Sequence, residues 1–122
     1  MSSLDIRRIS ERTEIVAGDH TRLREILHGP SERLPLPYSL AWASLSVGAK
    51  SLPHRLRQSS EVYYFLRGQG RMTVDGAEAA VAEGDTVLIP PGATQWLVNE
   101  GQTELEFLCI VDPGWRAEDE EV

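Results

Sequence analysis

Two blocks that each open on a glycine constrain the fold of this chain most strongly. The first covers residues 48–68 and the second covers residues 84–99. Inside them, short runs of β-forming residues alternate with turn signals such as Asp75-Gly76. Between residues 38 and 113 such signals recur about every eight to twelve residues, with no helical pattern between them. This spacing predicts an antiparallel β-barrel or sandwich.

The rest of the chain adds an arm and a tail to this β-rich segment. We expect residues 38–113 to form the barrel, and residues 1–37 to form an N-terminal arm that adds extra strands or covers an edge. Residues 114–122 are an acidic C-terminal tail, whose run of like charges predicts a frayed, solvated end. A length of 122 residues without an internal repeat indicates one domain.

The charge and the apolar runs of the chain argue against several classes of partner. The net charge of −7 at pH 7 disfavours binding to nucleic acid, because the phosphates would be repelled. No apolar run approaches the ~20 residues that span a bilayer, and the first residues lack the apolar core of a signal peptide. We therefore expect a cytoplasmic protein with no nucleic-acid partner and no membrane partner.

Several polar residues of the two blocks are candidates for a site. Residues two apart on a strand point to the same face, so His54 and Leu56 share one face. By the same rule Glu61 and Tyr63 share a face of the next strand. Side chains directly opposite each other on adjacent strands lie about 5 Å apart. Gln95 follows a Pro-Pro-Gly turn at the start of a strand in the second block. The pattern therefore places candidate site residues on neighbouring strands.

Both blocks resemble the two motifs of the cupin superfamily, in particular those of small single-domain conserved-barrel cupins of the cupin 2 type. The family carries His-x-His and a glutamate in the first motif and a histidine in the second. In this chain those four positions hold His54, Leu56, Glu61 and Gln95. The resemblance implies an all-β fold, an antiparallel jelly-roll barrel with these side chains pointing inward. It also implies a twofold homodimer and a small-molecule ligand.

The same resemblance implies a metal site that has lost part of its ligand set. The candidate ligands for a divalent transition metal (Fe, Mn, Ni, Cu or Zn) are His54, Glu61 and Gln95. Imidazole and carboxylate groups suit these metals, whereas an amide oxygen is a weaker donor and Leu56 offers none. A metal-free pocket is equally compatible with the pattern, because the three polar side chains could satisfy one another's hydrogen bonds.

Two functions remain open from these residues. Glu61 and Tyr63 are the candidate catalytic residues, because a carboxyl group buried near an imidazole would have a perturbed pKa and could act as an acid or base. The side chains expected to line the pocket are Leu56, Trp42 and Trp96. The protein is then either a metal-dependent enzyme on a small organic substrate (a dioxygenase, isomerase or lyase) or a non-catalytic cupin that binds a small molecule.

Overall fold

The structure, a computed structural model, describes residues 4–122. These residues form the strands β1 (Ile15–Val16), β2 (Arg22–His28), β3 (Ser39–Leu45), β4 (Arg55–Leu56), β5 (Ser60–Arg67), β6 (Gln69–Val74), β7 (Ala77–Ala82), β8 (Thr86–Ile89), β9 (Gln95–Asn99), β10 (Leu105–Asp112) and β11 (Glu120–Glu121). Helix is limited to α1 (Gly29–Glu32) and two 3-10 turns, Ile9–Glu11 and Ala117–Asp119. Within residues 4–122 no helix is both long enough and apolar enough to cross a membrane.

The strands form an antiparallel barrel of two main sheets. The larger sheet has the order β1-β2-β3-β10-β5-β8, and the smaller has the order β7-β6-β9. A short ladder joins β11 to β4. The predicted all-β jelly-roll fold is confirmed: the strand pairings are antiparallel, and β3–β10, β10–β5, β5–β8 and β6–β9 join strands that are not consecutive in the chain.

The glycines that bound the two blocks make turns that other residues would strain. Gly68 lies between β5 and β6 with φ of 93°. A Cβ atom added there would lie 2.6 Å from the carbonyl oxygen of Glu104. Gly84, which opens the second block, has φ of 88°. Because glycine alone adopts these angles at little cost, the block boundaries coincide with the strand ends.

The N-terminal arm contributes the outer strands of the larger sheet. Strand β2 pairs with β3, with Leu23 opposite Ala43, and β1 pairs with β2. The register of β2 against β3 shifts between Glu25 and Leu27, which marks a β-bulge. Side chains of these strands and of the chain between them line the interior of the barrel.

Alternate residues of β5 and β10 build the core. Phe65 and Phe107 are fully buried, and their ring centroids lie 5.5 Å apart. Tyr63 packs against Phe107 at a centroid distance of 4.8 Å. Full burial of one such side chain stabilises the fold by about 1.5–3 kcal/mol. The opposite face of β5 is more accessible, and Tyr64 on it is exposed, as strand alternation requires.

The C-terminal segment differs from the frayed end that its charge predicts. Asp119 is buried, and its carboxylate accepts the backbone N–H groups of Gln58 at 2.7 Å and Ser59 at 3.1 Å. Strand β11 pairs with β4, with Glu120 opposite Leu56. These hydrogen bonds compensate the burial of the charge, so the acidic segment folds onto the barrel instead of remaining solvated.

Candidate functional site

A cavity of about 310 Å³ lies inside the barrel, on the inner face of the larger sheet. Its wall is mostly apolar and comes from β1, β2, β3, β5, β10, the chain around β4 and the C-terminal segment. Three of its lining residues, Ile15, Val16 and Trp115, are partly exposed to solvent. The cavity therefore meets solvent where β1 lies beside the C-terminal segment.

His54 is held in the cavity wall by its backbone and by one side-chain hydrogen bond. Its backbone exchanges two hydrogen bonds with that of Gln95, at 3.0 and 2.8 Å. Its Nδ1 atom lies 3.0 Å from the carbonyl oxygen of Leu52. Because a carbonyl can only accept, Nδ1 carries a proton and donates it; in the neutral form of the ring, Nε2 is then the acceptor. Asp19 approaches the same Nδ1 atom at 3.6 Å.

Glu61 is a buried carboxyl group with one satisfied oxygen. The side-chain amide of Gln95 donates to its Oε1 atom at 2.8 Å. Its Oε2 atom makes no hydrogen bond to any residue in the range 4–122, and the side chain lines the cavity. Burial raises the pKa of Glu61 to about 8; the Gln95 hydrogen bond opposes this rise, and the carboxyl groups of Asp19 and Glu120 add to it. At neutral pH Glu61 is therefore mainly protonated and can donate a proton.

Tyr63 lies two residues further along β5 and faces the same cavity. Burial raises the pKa of its phenol well above the usual value, and the nearby Glu61 carboxyl group raises it further. The phenol therefore keeps its proton at physiological pH. It can donate a hydrogen bond to a ligand but cannot serve as a base there.

The four family motif positions come together, but they do not all reach the cavity. His54, Leu56 and Glu61 line it. Gln95 is fully buried and is not among the lining residues; it touches the site through Glu61. Its own Oε1 atom is buried without a hydrogen-bond partner in residues 4–122. Gln95 therefore orients Glu61 and does not face a ligand.

The expectation that Trp42 and Trp96 line the pocket is corrected by the structure. Neither residue belongs to the cavity wall. Trp42 lies on the outer face of β3, where its indole N–H donates to Glu106 at 3.2 Å and Arg24 lies 5.7 Å above its ring. Trp96 is next to the inward Gln95 and therefore points outward. Adjacent strand residues cannot share a face, and this alternation excludes both tryptophans.

The sequence and the fold both have known counterparts. A family model described as a cupin domain matches residues 41–111. This chain belongs to the cupin family. An uncharacterized protein of Methanocaldococcus jannaschii is 38% identical to it over 107 residues, which cover 88% of this chain and 85% of that protein. An oxalate-binding protein of Thermotoga maritima is 28% identical over 95 residues, which cover 75% of this cupin and 71% of that protein.

A solved structure has the same barrel at lower sequence identity. It is that of a predicted oxalate decarboxylase from Thermotoga maritima, which matches with a TM-score of 0.79 and 22% identity. The match covers 89% of this cupin and 99% of that chain. At this level of identity the likeness establishes the fold.

The donor set of this cupin does not fit the metal centre that the family resemblance implies. Leu56 stands where the second histidine would be, and it presents only methyl groups to the cavity. Gln95 turns its N–H group, which is not a ligand, towards Glu61. Residues 4–122 contain no cluster of three or more His, Cys, Asp or Glu side chains placed to hold a metal ion. A first-row metal needs at least three such donors at a catalytic site.

Sequence reasoning missed several cavity residues outside the motifs, among them Asp19, Trp115 and Glu120. Asp19 is buried between β1 and β2, where its carboxylate accepts from the backbone and hydroxyl of Thr21 at 3.1 and 2.7 Å. The Asp-x-Thr pattern is a turn signal that could have indicated this ordered loop. Glu120 and Trp115 reach the cavity because the C-terminal segment folds back to β4. The local sequence around these two residues contains no signal for that return.

Proposed function

We propose that this cupin binds a small organic molecule in the barrel cavity and exchanges a proton with it through Glu61, without a metal ion. One observation carries the proposal. Glu61 is a buried carboxyl group whose Oε2 atom has no hydrogen-bond partner within residues 4–122, and its side chain borders a mostly apolar cavity. A carboxyl group in such surroundings is a proton donor at neutral pH and can act as a general acid or base.

The neighbouring groups support this role. A pKa of about 8 at Glu61 is close to the pH at which the protein would work, which favours transfer in both directions. His54 offers an acceptor nitrogen, and Tyr63 offers a neutral hydroxyl group. Proton transfer at a positioned carboxyl group accelerates a reaction by about 10²- to 10⁴-fold. Isomerisation and elimination are the reaction types that such a set of groups can catalyse.

The name of the Thermotoga maritima relative would suggest oxalate as the ligand. No arginine or lysine of residues 4–122 lines the cavity of this cupin. A dicarboxylate would therefore lose its water without gaining a cationic partner, which is costly in an apolar site. The cavity favours a ligand that is not an anion.

A second function, binding without catalysis, is favoured by the apolar wall at Leu56. The two functions differ in whether the protein exchanges a proton of the bound ligand: catalysis requires this exchange and binding alone does not. We would screen small alcohols, carbonyl compounds and amines for binding by ligand-observed NMR in the presence of a chelator. Each bound compound would then be incubated in D₂O, and exchange of its carbon-bound hydrogens would be followed.

The proposal expects wild-type protein to catalyse this exchange and Glu61→Gln to bind the compound without catalysing it. As a control, Glu83→Gln makes the same replacement at an exposed carboxylate, and it should behave as wild type. Binding without exchange in the wild type would establish the second function instead. Exchange that stops when the chelator is added, or that persists in Glu61→Gln, would contradict the metal-free role of Glu61.

A further inference from the structure

Acidic side chains outnumber basic ones around the cavity among residues 4–122. Four carboxyl groups line it: Asp19 between β1 and β2, Glu25 on β2, Glu61 on β5 and Glu120 on β11. His54 is the one lining residue in the range 4–122 that could carry a positive charge. The four acids come from separate segments of the chain, so the tertiary fold gathers them around one space.

In the described range, residues 4–122, these carboxyl groups have no arginine or lysine partner, whereas several other acids do; of the four, Glu25 is exposed to solvent. Arginines pair with Glu106, Glu104 and Glu121 on the outer surface. No lysine or arginine of residues 4–122 makes an ion pair with Asp19, Glu25, Glu61 or Glu120; the contact of Asp19 is with the His54 ring at 3.6 Å. Carboxylates that face one another in an apolar cavity repel, and a cation placed between them relieves both the repulsion and the loss of water.

Burial is the main cause of the raised pKa of two of these carboxyl groups, and repulsion between carboxyl groups adds to it. At Glu120 burial raises the pKa, the His54 ring and a hydrogen bond with Trp115 oppose the rise, and the Asp19 carboxylate adds to it. At Glu61 burial raises the pKa, the Gln95 hydrogen bond opposes the rise, and the Asp19 and Glu120 carboxyl groups add to it. Negative charge in the cavity is therefore unfavourable until a positive group enters it.

The rest of the wall suits the body of an organic cation. Three aromatic side chains line the cavity, Tyr63, Phe107 and Trp115, and the face of an aromatic ring attracts an ammonium group. Aliphatic side chains such as Leu23 and Leu56 complete the wall. A volume of about 310 Å³ is at the small end for ligand pockets, so the ligand is small.

We infer that the ligand of this cavity is a small organic amine, which places a protonated ammonium group among the carboxyl groups and an apolar body against the aromatic wall. The inference rests on the proposed function in one respect: it takes the barrel cavity as the ligand site. It adds the charge of the ligand, which the proposed proton transfer leaves open.

Probes of one shape and different charge test this inference. Benzylamine, benzyl alcohol and benzoate share a phenyl body, and butylamine, 1-butanol and butyrate repeat the series with a smaller one. Binding would be measured by calorimetry and ligand-observed NMR at neutral pH. We expect each amine to bind at least about tenfold more tightly than its alcohol, and each carboxylate to bind most weakly.

Adjacent residues of β11 provide a matched pair of variants. Glu120 lines the cavity, whereas Glu121 pairs with Arg55 outside it. Glu120→Gln should weaken benzylamine binding about fivefold or more and leave benzyl alcohol binding unchanged, because it removes charge and keeps shape. Glu121→Gln should change neither, and unfolding curves would verify that both variants are folded.

The outcomes separate the inference from the proposed function. Equal binding of amine and alcohol, or an effect of Glu120→Gln on both, would overturn the ammonium assignment while the cavity remains a ligand site. Tighter binding of the carboxylates would overturn it as well. Failure of every probe to bind would count against the cavity as a small-molecule site and so against both proposals.

Discussion

The carboxyl group of Glu61 is buried and accepts one hydrogen bond from a side-chain amide. These two conditions determine its pKa. The Gln95 amide donates to Oε1, while Oε2 has no hydrogen-bond partner in the described part of the chain, residues 4–122, and the side chain lines the cavity. Burial outweighs the hydrogen bond, so the pKa of Glu61 rises to about 8 instead of falling. The contribution of Glu61 to the free energy of unfolding is therefore smallest when its carboxyl group is ionised.

The raised pKa of Glu61 predicts that the protein loses stability as the pH rises. Below the unfolded-state pKa of 4.5 both states hold the proton, and above about 8 both have released it. Between these values only the folded state keeps it, so the free energy of unfolding falls by up to about 1.4 kcal/mol per pH unit. Glu61→Gln abolishes this loss, and its stability relative to wild type should increase between about pH 5 and pH 8.

Urea denaturation across this pH range measures the effect. Glu83→Gln, an exposed carboxylate replaced in the same way, should follow the wild-type pH profile. A constant difference between Glu61→Gln and wild type at every pH would show that Glu61 titrates normally in the folded protein.

Strand alternation determines which residues of β9, of β4 and of the position before β4 can act at the site. Leu56 and His54 are buried, whereas Arg55 between them is exposed and pairs with Glu121. Trp96 is excluded by the same rule, because its neighbour Gln95 points inward. A donor added at an inward position should therefore join the site, and a donor added at the next position should not.

Rebuilding the histidines of the family motif tests this rule. The double variant Leu56→His/Gln95→His places two imidazoles beside His54 and Glu61, and we expect it to retain about one zinc ion per chain after dialysis. Arg55→His/Gln95→His adds the same two imidazoles with one of them facing outward, and it should retain markedly less. Elemental analysis gives the metal content of both variants and of wild type. Equal retention by the two variants would refute a common inward-facing site at residues 54, 56, 61 and 95.

On the scale of the whole molecule, the larger sheet has an apolar outer face. The cross-strand register aligns Leu40, Ile110, Val62 and Leu88 in one row across β3, β10, β5 and β8. A second row beside it contains Trp42, Leu108 and Tyr64. Leu88 is 72% exposed and Ile110 is 37% exposed. Apolar side chains in adjacent rows on a sheet surface are typical of protein interfaces.

We predict that two copies of this chain pack these outer faces together about a twofold axis. Leu88→Lys places a charge in the row and should weaken the dimer by about tenfold or more. Val47→Lys, at an apolar position that is 58% exposed in the loop after β3, should leave it unchanged. Sedimentation equilibrium measures both. A wild-type protein that stays monomeric as its concentration increases would rule the dimer out.

Local sequence determines the barrel and the motif part of the site. The glycines at 68 and 84 end strands because they take positive φ, and the alternation along β5 places Glu61, Tyr63 and Phe65 on one buried face. Both signals act over a few residues, so they can be recognised without knowing the fold. They also exclude Trp42 and Trp96 from the cavity once the inward face of each strand is known.

The tertiary structure alone decided what closes the cavity and what charge it has. Asp19, Trp115 and Glu120 come from segments for which the sequence predicts an N-terminal arm and a solvated tail, yet they form the wall together with β5. Their positions depend on the β4–β11 ladder and on the hydrogen bonds that Asp119 accepts from residues about sixty positions earlier. Contacts over such distances leave no local pattern, because their energy depends on the register of the whole barrel rather than on neighbouring residues.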